Sequence, residues 1–117
     1  QVQLKIMQLL WKMKRATARE LTEELNQSEP IAHSTVQTLL RQLEAKRSVG
    51  HEQDGRTFYF FPLVQEEKVK KSAARELLQN VFAGSVGGLV AYLLEHEKVS
   101  ADELAEIRKL INEKRRK

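Results

Sequence analysis

Between His33 and Leu43 the stretch HSTVQTLLRQL sets Ser34, Thr35, Gln37, Thr38 and Arg41 among the apolar residues Val36, Leu39, Leu40 and Leu43. The apolar four follow an i, i+3, i+4, i+7 spacing, which places them on one stripe of a helix. The polar residues lie off that stripe. Neutral hydroxyls and amides displayed there can pair with the donor and acceptor edges of bases, and an arginine with guanine or a phosphate. A face built only for solubility is richer in Glu and Lys. Thr38 has a second option, because its hydroxyl can bond back to a carbonyl one turn earlier in the helix.

No other group of residues offers comparable chemistry. The sequence has no nucleophile–base constellation, no P-loop and no glycine-rich phosphate loop, so it is not read as an enzyme. His33, His51 and His96 are far apart and none stands in a ligand spacing with another histidine. His51 with Glu52, or His96 with Glu95 and Glu97, offers at most an adventitious metal site; no metal and no cofactor are expected. Phe58, Tyr59, Phe60 and Phe61 invite comparison with a base-stacking platform. One hairpin is too small for that, and alternate rings are expected to pack beneath it. Trp11 is expected in the core. The terminal KRRK reads as a solvated tail.

The elements around this helix follow from local signals. A helix runs from Gln1 to about Met13. Because residue 1 is Gln and the pattern Val2, Leu4, Ile6, Met7, Leu9, Leu10 is already under way there, the chain reads as a fragment whose first helix lacks a turn. Thr17–Glu20, TARE, has the form of a capping box and predicts a second helix to about Asn26. NQSEPI is a loop. The third helix runs from the HST stretch to about Lys46, with STVQ as a further capping box. Beta-forming residues then flank Asp54-Gly55, predicting a hairpin with strands at about Val49–Gln53 and Arg56–Phe61, stopped by Pro62. Beyond Pro62 three more helices are expected. The first carries Val69, Ala73, Leu77, Val81 and Phe82 on one face. The second is short and apolar, with Leu89 and Leu93. The last is capped by SADE and carries Leu104, Ile107, Leu110 and Ile111.

The order helix, helix, helix, hairpin predicts a mainly α fold with a small β-hairpin: a winged helix-turn-helix over 1–63, its third helix suited to the major groove. Residues 64–117 are too many to pack on a complete winged helix. The segment Val81–Leu94 is apolar on nearly every side, and Ala83, Gly84, Gly87, Gly88 and Ala91 permit close helix approach. Such a surface needs a partner, and a second copy is the simplest one. The C-terminal helices are therefore read as a dimerisation domain, and a two-fold dimer would place two reading helices on a palindromic site.

Bulk properties agree with this plan. The chain has 117 residues, 41% hydrophobic and 31% charged, with a net charge of +4. Up to Leu63 there are 9 basic and 7 acidic residues, and beyond it 11 and 9, so each half carries +2. That balance permits an anionic partner without demanding one. There is no cysteine, which excludes disulfides and thiolate sites and fits the cytoplasm. No run approaches the roughly 20 apolar residues of a membrane span, and no secretory signal is visible.

The segments LLW, TARELTEEL, STVQTLLRQLEAK, DGRTFYF and GGLVAYLLE with LAEIRKLI, in this order and spacing, resemble the penicillinase-repressor (BlaI/MecI) family over essentially the whole chain. The resemblance implies a homodimeric transcriptional repressor on an operator dyad of double-stranded DNA. It implies base contacts by Ser34, Thr35, Gln37, Thr38 and Arg41, and a wing arginine at Arg56. Three departures stand out. The Asn-Phe bond cleaved in β-lactam-responsive members is replaced by Tyr92-Leu93, so release by that route is not expected. The C-terminal cysteine motif of copper-responsive members is absent. The Lys-Gly that closes the reading helix in many members is Lys46-Arg47, so a different cap is expected, with Arg47 assigned to a phosphate. Two rivals remain: a winged helix that binds protein, and an effector-gated sensor with a small ligand along Ala83–Ala91, although no small molecule is identified.

Overall fold

The computed structural model describes residues 2–116. Gln1, with which the first helix was expected to open, and Lys117, the last of the basic tail, lie outside them. The elements are α1 (Val2–Met13), α2 (Ala18–Asn26), α3 (His33–Ala45), β1 (Val49–Asp54), β2 (Thr57–Pro62), α4 (Glu66–Phe82), α5 (Val86–His96) and α6 (Ala101–Arg115). The expected mainly α fold with one hairpin is thus observed. Internal packing divides the chain into Gln1–Ser72 and Ala73–Lys117.

The first unit has a continuous core. Ile6, Met7 and Leu10 of α1 meet Leu21 and Leu25 of α2, Val36, Leu40 and Leu43 of α3, and Val49 and Phe60 of the hairpin. The helix periodicity and the alternation in β2 select these residues. Trp11 is half-buried against this core, and its indole N–H donates to the Val64 carbonyl at 3.0 Å. Of the four consecutive aromatics Phe60 alone is buried, and Phe58 remains 42% exposed. Ala16, ahead of α2, pairs antiparallel with Phe60: its N–H donates to Phe60 O at 2.9 Å, and Phe60 N–H donates to Ala16 O at 2.8 Å. The wing is therefore tied to the helical body through its backbone.

Local chemistry sets the helix ends. Thr17 forms the expected capping box: Glu20 N–H donates to Thr17 Oγ1 at 3.1 Å, and Thr17 N–H donates to Glu20 Oε1 at 2.8 Å. Thr17→Ala removes one half of this arrangement and is expected to destabilise the protein by about 1 kcal/mol, to be read as a lower melting temperature. Asn26 closes the loop to α3 by donating to the Thr22 and Ile31 carbonyls at 2.8 and 2.9 Å and accepting from Ile31 N–H at 3.1 Å. Lys5 reaches Glu29 at 2.8 Å. The hydrogen bond from Lys5, and then its charge, hold that carboxylate below its usual range; the pair is exposed and contributes little.

Two local expectations are corrected. Ser34 does not cap α3. The helix begins at His33, with Ala32 as its N-cap and no side chain accepting from the first amides. Ser34 already lies inside the first turn, too late in the chain to act as a cap. β1 runs one residue further than expected, to Asp54, and β2 is shifted by one, so Arg56 sits in the turn and Pro62, expected to stop the strand, is its last residue, paired with Val49. Gly55 takes φ 64° as the first central residue of that turn, the position where a tight hairpin loop requires a positive φ.

The second unit has a different character. Ser85 caps α5 by accepting from Gly88 N–H at 2.9 Å, and Ser100 caps α6 by accepting from Glu103 N–H at 3.1 Å. Tyr92 packs edge-on to Phe82 and stacks on His96. Yet among the described residues α4, α5 and α6 contain no buried side chain. No single helix among the described residues is long and apolar enough to cross a membrane.

Candidate nucleic-acid interface

The core stripe of α3 fixes which of its residues face outward. With Val36, Leu40 and Leu43 buried, Ser34, Thr35, Gln37, Thr38 and Arg41 are all exposed, as are Arg47 and Arg56. Ser34, Gln37 and Arg41 follow one another at helical spacing along one edge. Thr38 donates to the Ser34 carbonyl at 3.0 Å, so its hydroxyl has taken the back-bonding option. The first turn of α3 has no side-chain cap; Thr35 N–H and Val36 N–H both donate to the Ala32 carbonyl, at 3.1 and 3.2 Å.

Folding brings residues from three regions to one open cleft of about 600 Å³. Gln37 and Arg41 line it from α3, Arg56 and Thr57 from the wing, and Thr17, Ala18 and Arg19 from the start of α2. Three guanidinium groups thus share one concavity, which concentrates positive potential where the chain as a whole carries little. Ser34, Thr35, Thr38 and Arg47 lie outside this cleft. Arg19 was missed by sequence reading: it sits inside the TARE capping box and looks like ordinary helix-start polarity.

Arg47 corrects the expectation of a different cap. It adopts φ 62°, the left-handed conformation usually left to glycine. Arg47 N–H donates to Glu44 O and Ser48 N–H to Leu43 O, both at 2.9 Å, which is the Schellman pattern that glycine would form. A side chain there costs about 1 kcal/mol relative to glycine. Arg47→Gly is therefore expected to raise stability by about that amount. The same change is expected to weaken binding to duplex DNA and lower its salt slope by about one if Arg47 meets a phosphate. Paired melting and salt-titration measurements separate the two effects.

The remaining candidates are placed as follows. His51 does not face Glu52; its Nδ1 lies 2.6 Å from Glu44 Oε2. Arg15 lies over the Tyr59 ring at 4.3 Å. His33 meets the Thr22 hydroxyl at 3.3 Å and so ties α3 to α2. No three His, Asp or Glu side chains among the described residues converge as metal ligands.

Comparison with known proteins gives a consistent result. A family model described as penicillinase repressor matches residues 1–113. The methicillin resistance regulatory protein MecI of Staphylococcus aureus (strain N315) is 28% identical over 109 residues, covering 93% of this chain and 89% of that protein. The penicillinase repressor of Bacillus licheniformis is 25% identical over 111 residues, covering 95% and 87%. Among solved structures, the DNA-binding domain of the repressor BlaI is similar with a TM-score of 0.51 and 30% identity, over 55% of this chain and 78% of that one. A mutant MarR from E. coli, solved with operator DNA, has a TM-score of 0.57 at 15% identity over 96% of this chain and 72% of that one, a likeness of fold alone.

Proposed function

This chain belongs to the penicillinase repressor family, and on that premise we propose that it represses transcription in the cytoplasm by binding double-stranded DNA. Two copies associate through the C-terminal helices and dock two reading helices on a palindromic operator. The bound dimer blocks promoter access sterically. One observation carries this function: Gln37 and Arg41 of α3 and Arg56 of the wing, distant in sequence, line one open basic cleft beside an exposed helix face.

In this arrangement Ser34, Thr35 and Gln37 meet base edges, Arg41 meets guanine or a phosphate, and Thr38 packs its methyl against the groove while its hydroxyl stays in the helix. Arg56 at the turn enters the flanking groove or meets backbone, and Arg47 meets a phosphate. Arg19, at the α2 N-terminus, adds a further phosphate contact. We divide the chain functionally at 63/64, assigning 1–63 to DNA and 64–117 to the partner copy. Val69, Ala73, Leu77, Val81 and Phe82 of α4, Leu89 and Leu93 of α5, and Leu104, Ile107, Leu110 and Ile111 of α6 supply the apolar surface.

Salt titration of duplex binding tests the proposal against the rival protein-binding module. Each phosphate neutralised contributes about −0.9 to the slope of log K against log salt. Several phosphate contacts give a steep slope, as expected here. A flat slope, or no binding to duplex, would instead favour the protein-binding winged helix.

A further inference from the structure

We propose that Glu44 and His51 form a positioning latch that sets the wing against the reading helix and so delivers Arg56 to DNA; this rests on the DNA-binding function just proposed. Glu44 lies in the last turn of α3, and His51 lies in the middle of β1. Their 2.6 Å contact joins the two elements. An ionised carboxylate only accepts, so Nδ1 carries the proton and donates to Glu44 Oε2. The imidazole is also stacked on Phe58, with ring centroids 4.4 Å apart and planes 12° from parallel, and it leans on Phe60 at 5.7 Å. One side chain therefore grips α3 through a hydrogen bond and β2 through a ring face.

The need for such a grip follows from the rest of the hairpin. Val49 and Phe60 bury its base. Residues 52–58 are exposed, and Arg56 stands at the tip. Among the described residues no other side-chain hydrogen bond joins the hairpin to a helix of the body. Without the latch the Ala16–Phe60 bridge and the Arg15–Tyr59 contact still hold the base, but the tip beyond them is freer, and Arg56 must be ordered at the moment of binding, which lowers affinity.

Glu44 also makes the proposal sharply testable. It lines the same cleft as Arg19, Arg41 and Arg56, where DNA phosphates are expected. A carboxylate that acts only as a charge there repels DNA, so removing it tightens binding. A latch predicts the opposite sign.

The experiment uses the full chain and a labelled duplex bearing the sequence it enriches from a random pool, with affinity read by anisotropy. Glu44→Ala, and His51→Phe, which keeps the stack and loses the hydrogen bond, are each expected to weaken binding about threefold, the scale of one net hydrogen bond. Glu44→Gln retains an acceptor for the imidazole N–H and removes the charge that faces the phosphates, so it is expected to bind at least as tightly as the wild type. In an Arg56→Ala background the loss caused by Glu44→Ala is expected to vanish, because there is no wing arginine left to position. Melting of each variant checks the fold. Tighter or unchanged binding by Glu44→Ala, or an undiminished loss without Arg56, overturns the latch while leaving the DNA-binding function intact. Failure of the wild type to bind any duplex overturns both.

Discussion

Val81→Asp combined with Leu110→Asp is expected to leave the protein monomeric and to reduce operator binding by about a hundredfold or more. These two are among the most exposed apolar side chains of the C-terminal unit, at 67% and 62%. They are not isolated: Leu77, Leu93, Leu104 and Ile111 on the same three helices are each 45–53% exposed. With no buried residue among the described ones in α4, α5 or α6, these helices have no core of their own to stabilise them. Helices of this length depend on tertiary packing, and their exposed apolar surface is the one that the proposed dimer would cover. Two carboxylates placed in that surface are costly to desolvate on association. Losing the dimer removes the linkage between two half-site contacts, which is worth about a hundredfold to ten-thousandfold in affinity. Sedimentation equilibrium and duplex titration read both effects. A wild type that sediments as a stable, folded monomer would contradict the dimer.

Gln37→Ala and Arg41→Ala are each expected to weaken binding to the selected operator by about tenfold to a hundredfold, the value of a good base contact. The two should differ in kind. Gln37 is neutral, so its loss should relax sequence preference at one position and leave binding to unrelated duplex nearly unchanged. Arg41 adds charge, so its loss should also reduce the salt slope by about one if it meets a phosphate. Thr38→Val is expected to cost far less, because the threonine hydroxyl already donates to the Ser34 carbonyl and valine retains the methyl. Operator and mismatched duplexes titrated in parallel separate specificity from charge. Equal losses on both duplexes for Gln37→Ala would mean that it reads no base.

The reading helix was legible because burial leaves a period in the sequence: Val36, Leu40 and Leu43 mark the inner face and by elimination the outer one. The Thr17 capping box was legible because its residue types answer a local need, and the hairpin was legible from Gly55, although its two-residue loop is Gly55-Arg56 rather than Asp54-Gly55. Other features were not, each for a physical reason. Ala32 caps α3 with its backbone alone, so no residue type signals it, and the capping pattern that begins at Ser34 falls two residues too late. Arg47 holds a glycine conformation that its identity argues against. The Ala16–Phe60 bridge is a single pair, too short to show alternation. The Glu44–His51 contact and the place of Arg19 in the cleft depend on how the hairpin and α2 dock on α3, which no local pattern encodes. The apolar surface of the last three helices was legible as residues without a counterpart in the winged helix, and among the described residues these helices contain no buried side chain.

Selection from random duplex DNA by the wild-type chain, with a Gln37→Ala/Thr38→Ala variant in parallel, tests DNA recognition by a dimer most directly. The expected result is enrichment of a palindrome with half-sites about one helical turn apart or a multiple of it, lost in the variant. Enrichment of no sequence, or of the same sequence by both proteins, would contradict recognition through α3.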